Sequence, residues 1–536
     1  MTNSSTPFDR KISLSKATSL KPENIWQWIT HRERLQTIAT AAGVFVLFVA
    51  FLTAVQFSTP NLAGNDGYYH IKLAYLMRTE GLKPVFDYLP FTILNAENFV
   101  DHHFLFHVLM IPFTFGDLRI GAKLASVIFP ALAFLAIWWT LHKQKVPYAA
   151  LWSLGLLAVS EAFIYRMSMP RAQSVSLAFL ALGLHWLLTG KYGRLLPLAF
   201  LYVWLYNAFP LLLVVAGLYT LAEWLINRRI VWQPLAFTAA GIVLGLIINP
   251  YFPDNILFIY NHLAPKLFNP TEAIRVGNEW YPYDTGQLIE NSGLALVAVI
   301  GGVLALGFHN RRMNVATATS LLVMLLSGFL LFQSRRFIEY FPAFALIFAA
   351  IASAPLIQAW KDNIRRMETS IPAARKPIAA YQWLVVGVIT ALLMVGVWKN
   401  LDASRESISN SKPYQRYAEA TAWLKANTPE GERVFQTDWD DFPWLFFYNT
   451  HNTYMVGLDP TYMEIYDAEL YDLWVDITKG RVEQPSQVIQ DTFGAKYVFT
   501  DLKHGNFLDQ AEADPNLIEV YRDDYAAIFQ VVQTSE

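Results

Sequence analysis

Eleven long apolar stretches, joined by short loops after one long polar loop, constrain this 536-residue chain more than anything else in it. They fall at about 35–57, 121–141, 148–165, 172–188, 194–207, 209–227, 233–250, 291–308, 314–332, 337–358 and 380–399. Runs of this kind cross a hydrocarbon layer of ~30 Å as helices, because a spanning backbone must satisfy its own hydrogen bonds. The expected fold is therefore an α-helical polytopic membrane protein with about 11 transmembrane helices. A polar segment of about 34 residues precedes the first run. It is longer than the charged region of a secretory signal, so the first run reads as a retained anchor.

Another apolar stretch, His103 to Phe115, is too short to span and reads as an interfacial helix. With it lying flat, the loops holding Lys143/Lys145, Lys191/Arg194, Arg228/Arg229, Arg311/Arg312 and Arg365/Arg366/Arg375/Lys376 share one side. That is the side of the N-terminus, with its Arg10, Lys11, Lys16, Lys21, Arg32 and Arg34. Basic loops stay in the cytoplasm, so the N-terminus is expected there. The loops 58–120 and 251–290 and the C-terminal domain are then outside. If His103–Phe115 spanned, every later loop would invert.

The net charge of −2 hides an asymmetry. From Asp402 onward there are 10 Lys+Arg against 24 Asp+Glu, and the remainder carries 31 against 19. A basic membrane part and an acidic tail imply two surroundings. The expected plan is a cytoplasmic arm (1–34), a membrane domain (35–400) and an outside α/β domain (401–536). In the tail, 417–431 and 486–494 read as helices, and VFQT, AKYVFTD, LIEVY and AIFQVV as strands. With no cysteine, disulfides and thiolate sites are excluded, and redox compartment is not legible.

GNDGYYHIKLA (64–74) opens the first outer loop and places Asp66 between two glycines, ahead of a helical pattern. An aspartate there fits a general base, a ligand for a divalent cation, or a helix N-cap. Tyr68, Tyr69 and His70 follow as candidate substrate contacts. DHHFLFH (101–107) closes the loop; Asp101, His102, His103 and His107 read either as a metal set or as a capped interfacial helix. Several cations are expected outside, against the positive-inside trend: Arg166 and Arg171 in YRMSMPRAQS, Arg275, and Arg335 and Arg336 in QSRRFIEYFP. Guanidinium forks match phosphate oxygens, so a convergence of these points to an anionic lipid headgroup. The alternative is snorkelling, or pairing with Glu161, Glu279 or Glu339. Glu279 and Trp280 fit a sugar contact or a loop anchor. In TDWDDFPWLFFYN (437–449), Trp439, Asp440 and Asp441 fit an acceptor surface, or an acidic helix start over a small aromatic core.

This order of arm, span, acidic outer loop, interfacial helix, many spans and outside α/β tail resembles the GT-C superfamily of membrane glycosyltransferases. That superfamily includes the oligosaccharyltransferase catalytic subunit and the aminoarabinose and protein O-mannosyl transferases. GNDGYYHIKLAYLMRTEGL, MPRAQSVSLAFLAL, NPYF and SRRFIEYFPAFAL also resemble segments of bacterial membrane proteins of this layout. DWDDFPWLFFYN stands where oligosaccharyltransferases carry a tryptophan-rich acceptor motif, and FGAKYVFTD resembles the strand ending their soluble domain.

The resemblance implies a catalytic acid at Asp66 and a polyprenyl-phosphate-linked sugar as donor. Arg335, Arg336, Arg275 and Arg171 would hold the donor phosphate, and inversion would occur at the anomeric carbon. Two departures matter. The outer loop between spans 3 and 4 holds arginines where oligosaccharyltransferases have an acidic pair. A metal-independent base therefore stands beside a Mg or Mn site using Asp66. The acceptor motif also lacks its paired tryptophans and glycine, so transfer to an asparagine sequon is not supported.

The expected function is sugar transfer from lipid phosphate to an envelope acceptor (glycan, lipid or protein) at the outer face of a bacterial inner membrane. Nucleic acid is not an expected partner. The rival readings are a lipid-linked saccharide flippase and a non-catalytic subunit of an envelope complex.

Overall fold

The computed structural model describes residues 22–268, 278–308, 313–370 and 375–532. Arg275 and most of the expected arm lie outside the described residues. The first described residues are already helical, within a helix spanning Pro22–Gln56.

Every one of the eleven expected spans falls on a helix, but their lengths differ. Seven helices are long and apolar enough to cross a membrane: Glu33–Gln56, Leu118–Lys143, Pro210–Asn227, Thr285–Phe308, Val315–Gln333, Phe341–Ser370 and Lys376–Ser409. The chain is thus a multi-pass membrane protein, with seven such helices among the described residues. An eighth is gained if the bent pair at the expected span 148–165 is counted. That stretch is not one rod: Ala149–Leu157 and Glu161–Ser168 meet at 80°. Ser160 is extended there, and its hydroxyl accepts from the Phe163 amide at 3.0 Å, starting a new helix. Gln173–Leu188, Tyr192–Leu205 and Gln233–Ile247 are shorter apolar helices, as is Phe104–Thr114.

The end of the first long helix is held from the side. Lys123, buried in the helix Leu118–Lys143, donates to the carbonyls of Gln56 at 2.6 Å and Thr59 at 3.0 Å, and to that of Asn61. A carbonyl left over at a helix C-terminus favours a cation, and that of Gln56 with two from the following loop takes up all of the ammonium's donors.

The helix Arg375–Ser409 runs past residue 400, so the tail folds beyond Ser409. It forms a five-stranded sheet of β1 (Arg433–Gln436), β2 (Thr453–Tyr454), β3 (Tyr497–Asp501), β4 (Leu517–Arg522) and β5 (Ala526–Val531). Their order is β2-β1-β3-β5-β4. Strand β1 is parallel to β2 and β3, and β5 is antiparallel to β3 and β4. The expected strands match four of these. The two expected helices appear at Ala418–Asn427 and Ser486–Phe493, the second ended by Gly494 at φ 63°.

The tail is not tethered loosely. Its short helix Phe442–Tyr448 packs on the outer-loop helix Asp66–Glu80 through rings. Tyr68 lies 5.1 Å from Trp444 and 5.3 Å from Phe447, centroid to centroid, and Tyr69 lies 5.6 Å from Phe446. Backbone joins them too: the Tyr454 amide donates to Tyr88 O at 2.8 Å, and the Ile93 amide to Tyr462 O at 3.0 Å. Burial of aromatic faces on this scale makes loop and tail one packed body.

Candidate functional site

Where loop, membrane helices and tail meet, a cavity of about 470 Å³ opens. Asp66, Tyr69, His70, His102, His103, Arg171, Glu279, Trp280, Arg336, Trp439 and Asp440 all line it.

Asp66 is the first residue of its helix, after Asn65, whose side chain caps nothing. The cap alternative is replaced by an ion pair: an Asp66 carboxylate oxygen meets the Arg171 guanidinium. Gly67 permits this. A Cβ there would stand 2.0 Å from Pro170 Cγ, so only glycine lets the start of the helix approach the segment that carries Arg171. The Asp66 side chain keeps 31% of its surface, facing the cavity. Desolvation raises its pKa above the ordinary aspartate value; Glu279 and Asp440 add to this, and Arg171 and Arg336 oppose it.

Three guanidinium groups surround Glu279. Arg336 Nη1 donates to it at 2.6 Å, Arg166 Nη1 at 2.8 Å and Arg171 Nη1 at 3.3 Å. Burial pushes against ionisation of Glu279, but Arg336, Arg166 and Arg171 outweigh it and hold its carboxyl well below the usual range. Arg166 also binds Glu339, which is 1% exposed, through Nε at 2.8 Å. Arg336 stacks over Trp280 at 4.9 Å and donates to the Tyr206 hydroxyl at 2.6 Å. Arginines 166, 171 and 336 are thus matched by Asp66, Glu279 and Glu339, one charge for one.

Asp440 of the tail is held by the outer-loop Asn65, whose amide donates to the Asp440 carbonyl at 3.1 Å and also to its carboxylate. Lys412 pairs with the same carboxylate at 3.1 Å.

Three of the expected site residues, Arg335, Tyr68 and Asp441, stand apart from the cavity. Arg335 does not line the cavity; its guanidinium donates to the carbonyls of Tyr281 at 3.2 Å and Pro282 at 3.0 Å. In the 3₁₀ turn Arg335–Glu339, adjacent side chains point about 120° apart, so one arginine faces in and its neighbour faces out. Tyr68 is fully buried in the loop–tail contact and does not line the cavity. Asp441 is 1% exposed and accepts from the Tyr417 hydroxyl at 2.8 Å, away from the cavity. Of the two readings of Asp101, His102, His103 and His107, the helix is the one found, at Phe104–Met110 with Asp101 accepting the His103 amide at 3.0 Å; His107 spends one nitrogen on Asp101 at 2.7 Å and the other on His70 at 2.8 Å.

The cavity's donor set does not fit a divalent cation either, because Asp66, Glu279 and Glu339 are each engaged by a guanidinium. Among the described residues, the carboxylates close enough to share an ion are Asp438, Asp441 and Asp501, within 4.8 Å of one another, and none lines the cavity.

The sequence reading did not single out Gln173, Tyr206, Asn207, His262 or Tyr462 as cavity residues, although all line it. It named Glu339 only as a salt-bridge partner. Burial inside an apolar setting is the signal that Glu339 carried.

No protein-family model matches the chain, and no curated protein matches it by sequence. Solved structures do match. The Archaeoglobus fulgidus oligosaccharyltransferase in its apo form superposes with a TM-score of 0.62 at 12% identity, over 88% of this chain and 71% of that one. The same organism's oligosaccharyltransferase AglB, in complex with an inhibitory peptide and a dolichol-phosphate, gives 0.60 at 12% identity over the same shares. ArnT from Cupriavidus metallidurans, bound to undecaprenyl phosphate, gives 0.54 at 16% identity, over 91% of this chain and 98% of that one. The chain therefore has a GT-C-like fold, the fold of these membrane glycosyltransferases.

Proposed function

We propose that the chain is a membrane glycosyltransferase that takes a sugar from a polyprenyl-phosphate donor and passes it to an envelope acceptor hydroxyl. The observation that carries this reading is the meeting of Asp66, Arg171 and Arg336 in one cavity roofed by Trp439 and Asp440. Asp66 takes the proton from the acceptor hydroxyl. Its raised pKa makes the carboxylate a better base than a fully solvated one. Arg336 and Arg171 face the phosphate and offset the charge that grows on it as the glycosidic bond breaks.

Glu279 sits among the arginines where an anion is best stabilised. The donor phosphate takes that place as Glu279 gives way, so binding exchanges one anion for another. The chain works in a bacterial inner membrane, with this cavity on the outer face and the N-terminus in the cytoplasm. The Lys/Arg-rich loops on the N-terminal side support this orientation.

Reconstituted membranes and radiolabelled lipid-phosphate sugars test the reading. Asp66→Asn should lower transfer by about a hundredfold or more while insertion is unchanged, the scale of a lost general base. Full activity of that variant rejects Asp66 as base. Sugar crossing the bilayer without covalent change identifies a flippase instead.

A further inference from the structure

One chain of side chains at the cavity has no part in that chemistry. His107 Nδ1 lies 2.7 Å from Asp101 Oδ2, and His107 Nε2 lies 2.8 Å from His70 Nδ1. Asp101 Oδ1 accepts the backbone N–H of His103 at 3.0 Å. A carboxylate engaged this way at both oxygens is an acceptor, which puts the proton of His107 on Nδ1. A neutral His107 then presents only a lone pair at Nε2. The 2.8 Å contact therefore requires a proton on His70 Nδ1. The one nitrogen left, His70 Nε2, carries a lone pair.

The His70 ring is deeply buried, at 5% exposure, and stands one residue further from the Asp101 carboxylate than His107, so a charge on it is costly. Desolvation first, then His107, Arg171 and His102, hold His70 well below the ordinary histidine value. His70 nevertheless lines the cavity, and it stands one turn after Asp66 on the same helix, at i, i+4. The cavity's arginines are donors, and three of its carboxylates are already bound by them.

We propose that His70 Nε2 is a fixed hydrogen-bond acceptor that orients a hydroxyl of the sugar presented to Asp66. Asp101 and His107 are positioning residues that set its tautomer. The sugar contact rests on the glycosyltransferase reading above; the tautomer does not.

The test uses the full chain in lipid nanodiscs with ¹⁵N-labelled histidine, His70→Gln serving to assign the His70 signals. The expected spectrum shows His70 protonated at Nδ1 and bare at Nε2. Prenyl phosphates carrying glucose, mannose or galactose are then added. At least one should shift the Nε2 signal, and the same prenyl phosphate without sugar should not. His70→Phe should weaken binding of the responding lipid by about tenfold, the scale of one lost hydrogen bond, with His70→Gln recovering part of it. Asp101→Asn should mix the two tautomers of His70.

A proton found on Nε2 in the unmodified chain overturns the tautomer. Sugar lipids that bind without moving Nε2 overturn the contact and leave the donor reading standing. If none of the lipids binds, both fall.

Discussion

Two carboxylate clusters flank the turn Trp439–Asp441, and they solve the same electrostatic problem in opposite ways. The cavity cluster pairs Asp66, Glu279 and Glu339 with Arg166, Arg171 and Arg336, and Asp66 and Glu279 keep 31% and 26% of their surface. The tail cluster gathers Asp438, Asp441 and Asp501 around one guanidinium, Arg416, which lies 3.3 Å from Asp501 and 4.0 Å from Asp441. His504 adds a contact of 2.6 Å to Asp501. Burial and the charges of Asp438 and Asp501 push Asp441 well above the aspartate range. Burial also works against ionisation of Asp501, yet His504, the Lys503 amide and Arg416 bring it below that range. The balanced cluster lines the cavity, where Asp66 and Glu279 are partly exposed. The crowded one, with Asp441 and Asp501 buried and Asp438 half-buried, lies away from the cavity and flanks the turn that carries Trp439 and Asp440.

The contrast predicts a graded series of effects. After the loss of Asp66, the largest should come from Arg336→Ala. It removes a charge-assisted contact worth about 1.5–3 kcal/mol, or roughly ten- to a hundredfold in affinity for a prenyl-phosphate donor, read by equilibrium binding. An unchanged affinity would mean that the phosphate sits elsewhere. Arg335→Ala is the control and should leave affinity within about twofold.

Glu279→Gln should act in the other direction. Removing the resident anion from among three arginines should tighten binding of a prenyl phosphate, by about tenfold if the phosphate takes the same place. Weaker binding would instead make Glu279 a structural tie for its loop.

The next effect is on pH. Only ionised Asp66 accepts a proton, so transfer should fall as pH drops through its folded-state pKa, which lies above 3.8. An acid limb of kcat/KM centred at or below that value would contradict the desolvated carboxylate.

The smallest effect concerns the tail cluster. A carboxyl whose folded pKa is raised favours folding below its unfolded value, and that contribution is lost as pH rises through the folded one. Asp441→Asn keeps an acceptor for Tyr417 and removes the penalty, so Tm should rise by about 2–4 °C at neutral pH. The gain should vanish under acid conditions, below 3.8. A fall in Tm at neutral pH would show the charge of Asp441 to be stabilising.

Much of the architecture was readable in one dimension. Apolar run length marked helical segments at every expected span, although among the described residues seven helices, or eight with the bent pair, are long enough to cross a membrane; alternation and stop residues marked most of the tail. Run length misjudged 148–165, where Ser160 accepts an amide and starts a second helix. Asp66 stood out because glycines flank it and a helix follows. The divergence of Arg335 from Arg336, and of Asp440 from Asp441, was not readable. Each pair is adjacent in a 3₁₀ turn, and direction there depends on which carbonyls or hydroxyls lie alongside.

Composition and periodicity by themselves determined a membrane body, an acidic α/β tail and an outer-loop aspartate, Asp66, set between glycines. These follow from hydrophobic transfer and local backbone preference, which act over a few residues at a time. Only tertiary structure decided that Asp66 pairs with Arg171, that Glu279 holds three arginines, and that His107 stands between Asp101 and His70. Such partners stand far apart in the chain, 105 residues for the first pair. Desolvation and Coulomb energy act through space, on distances that packing alone sets.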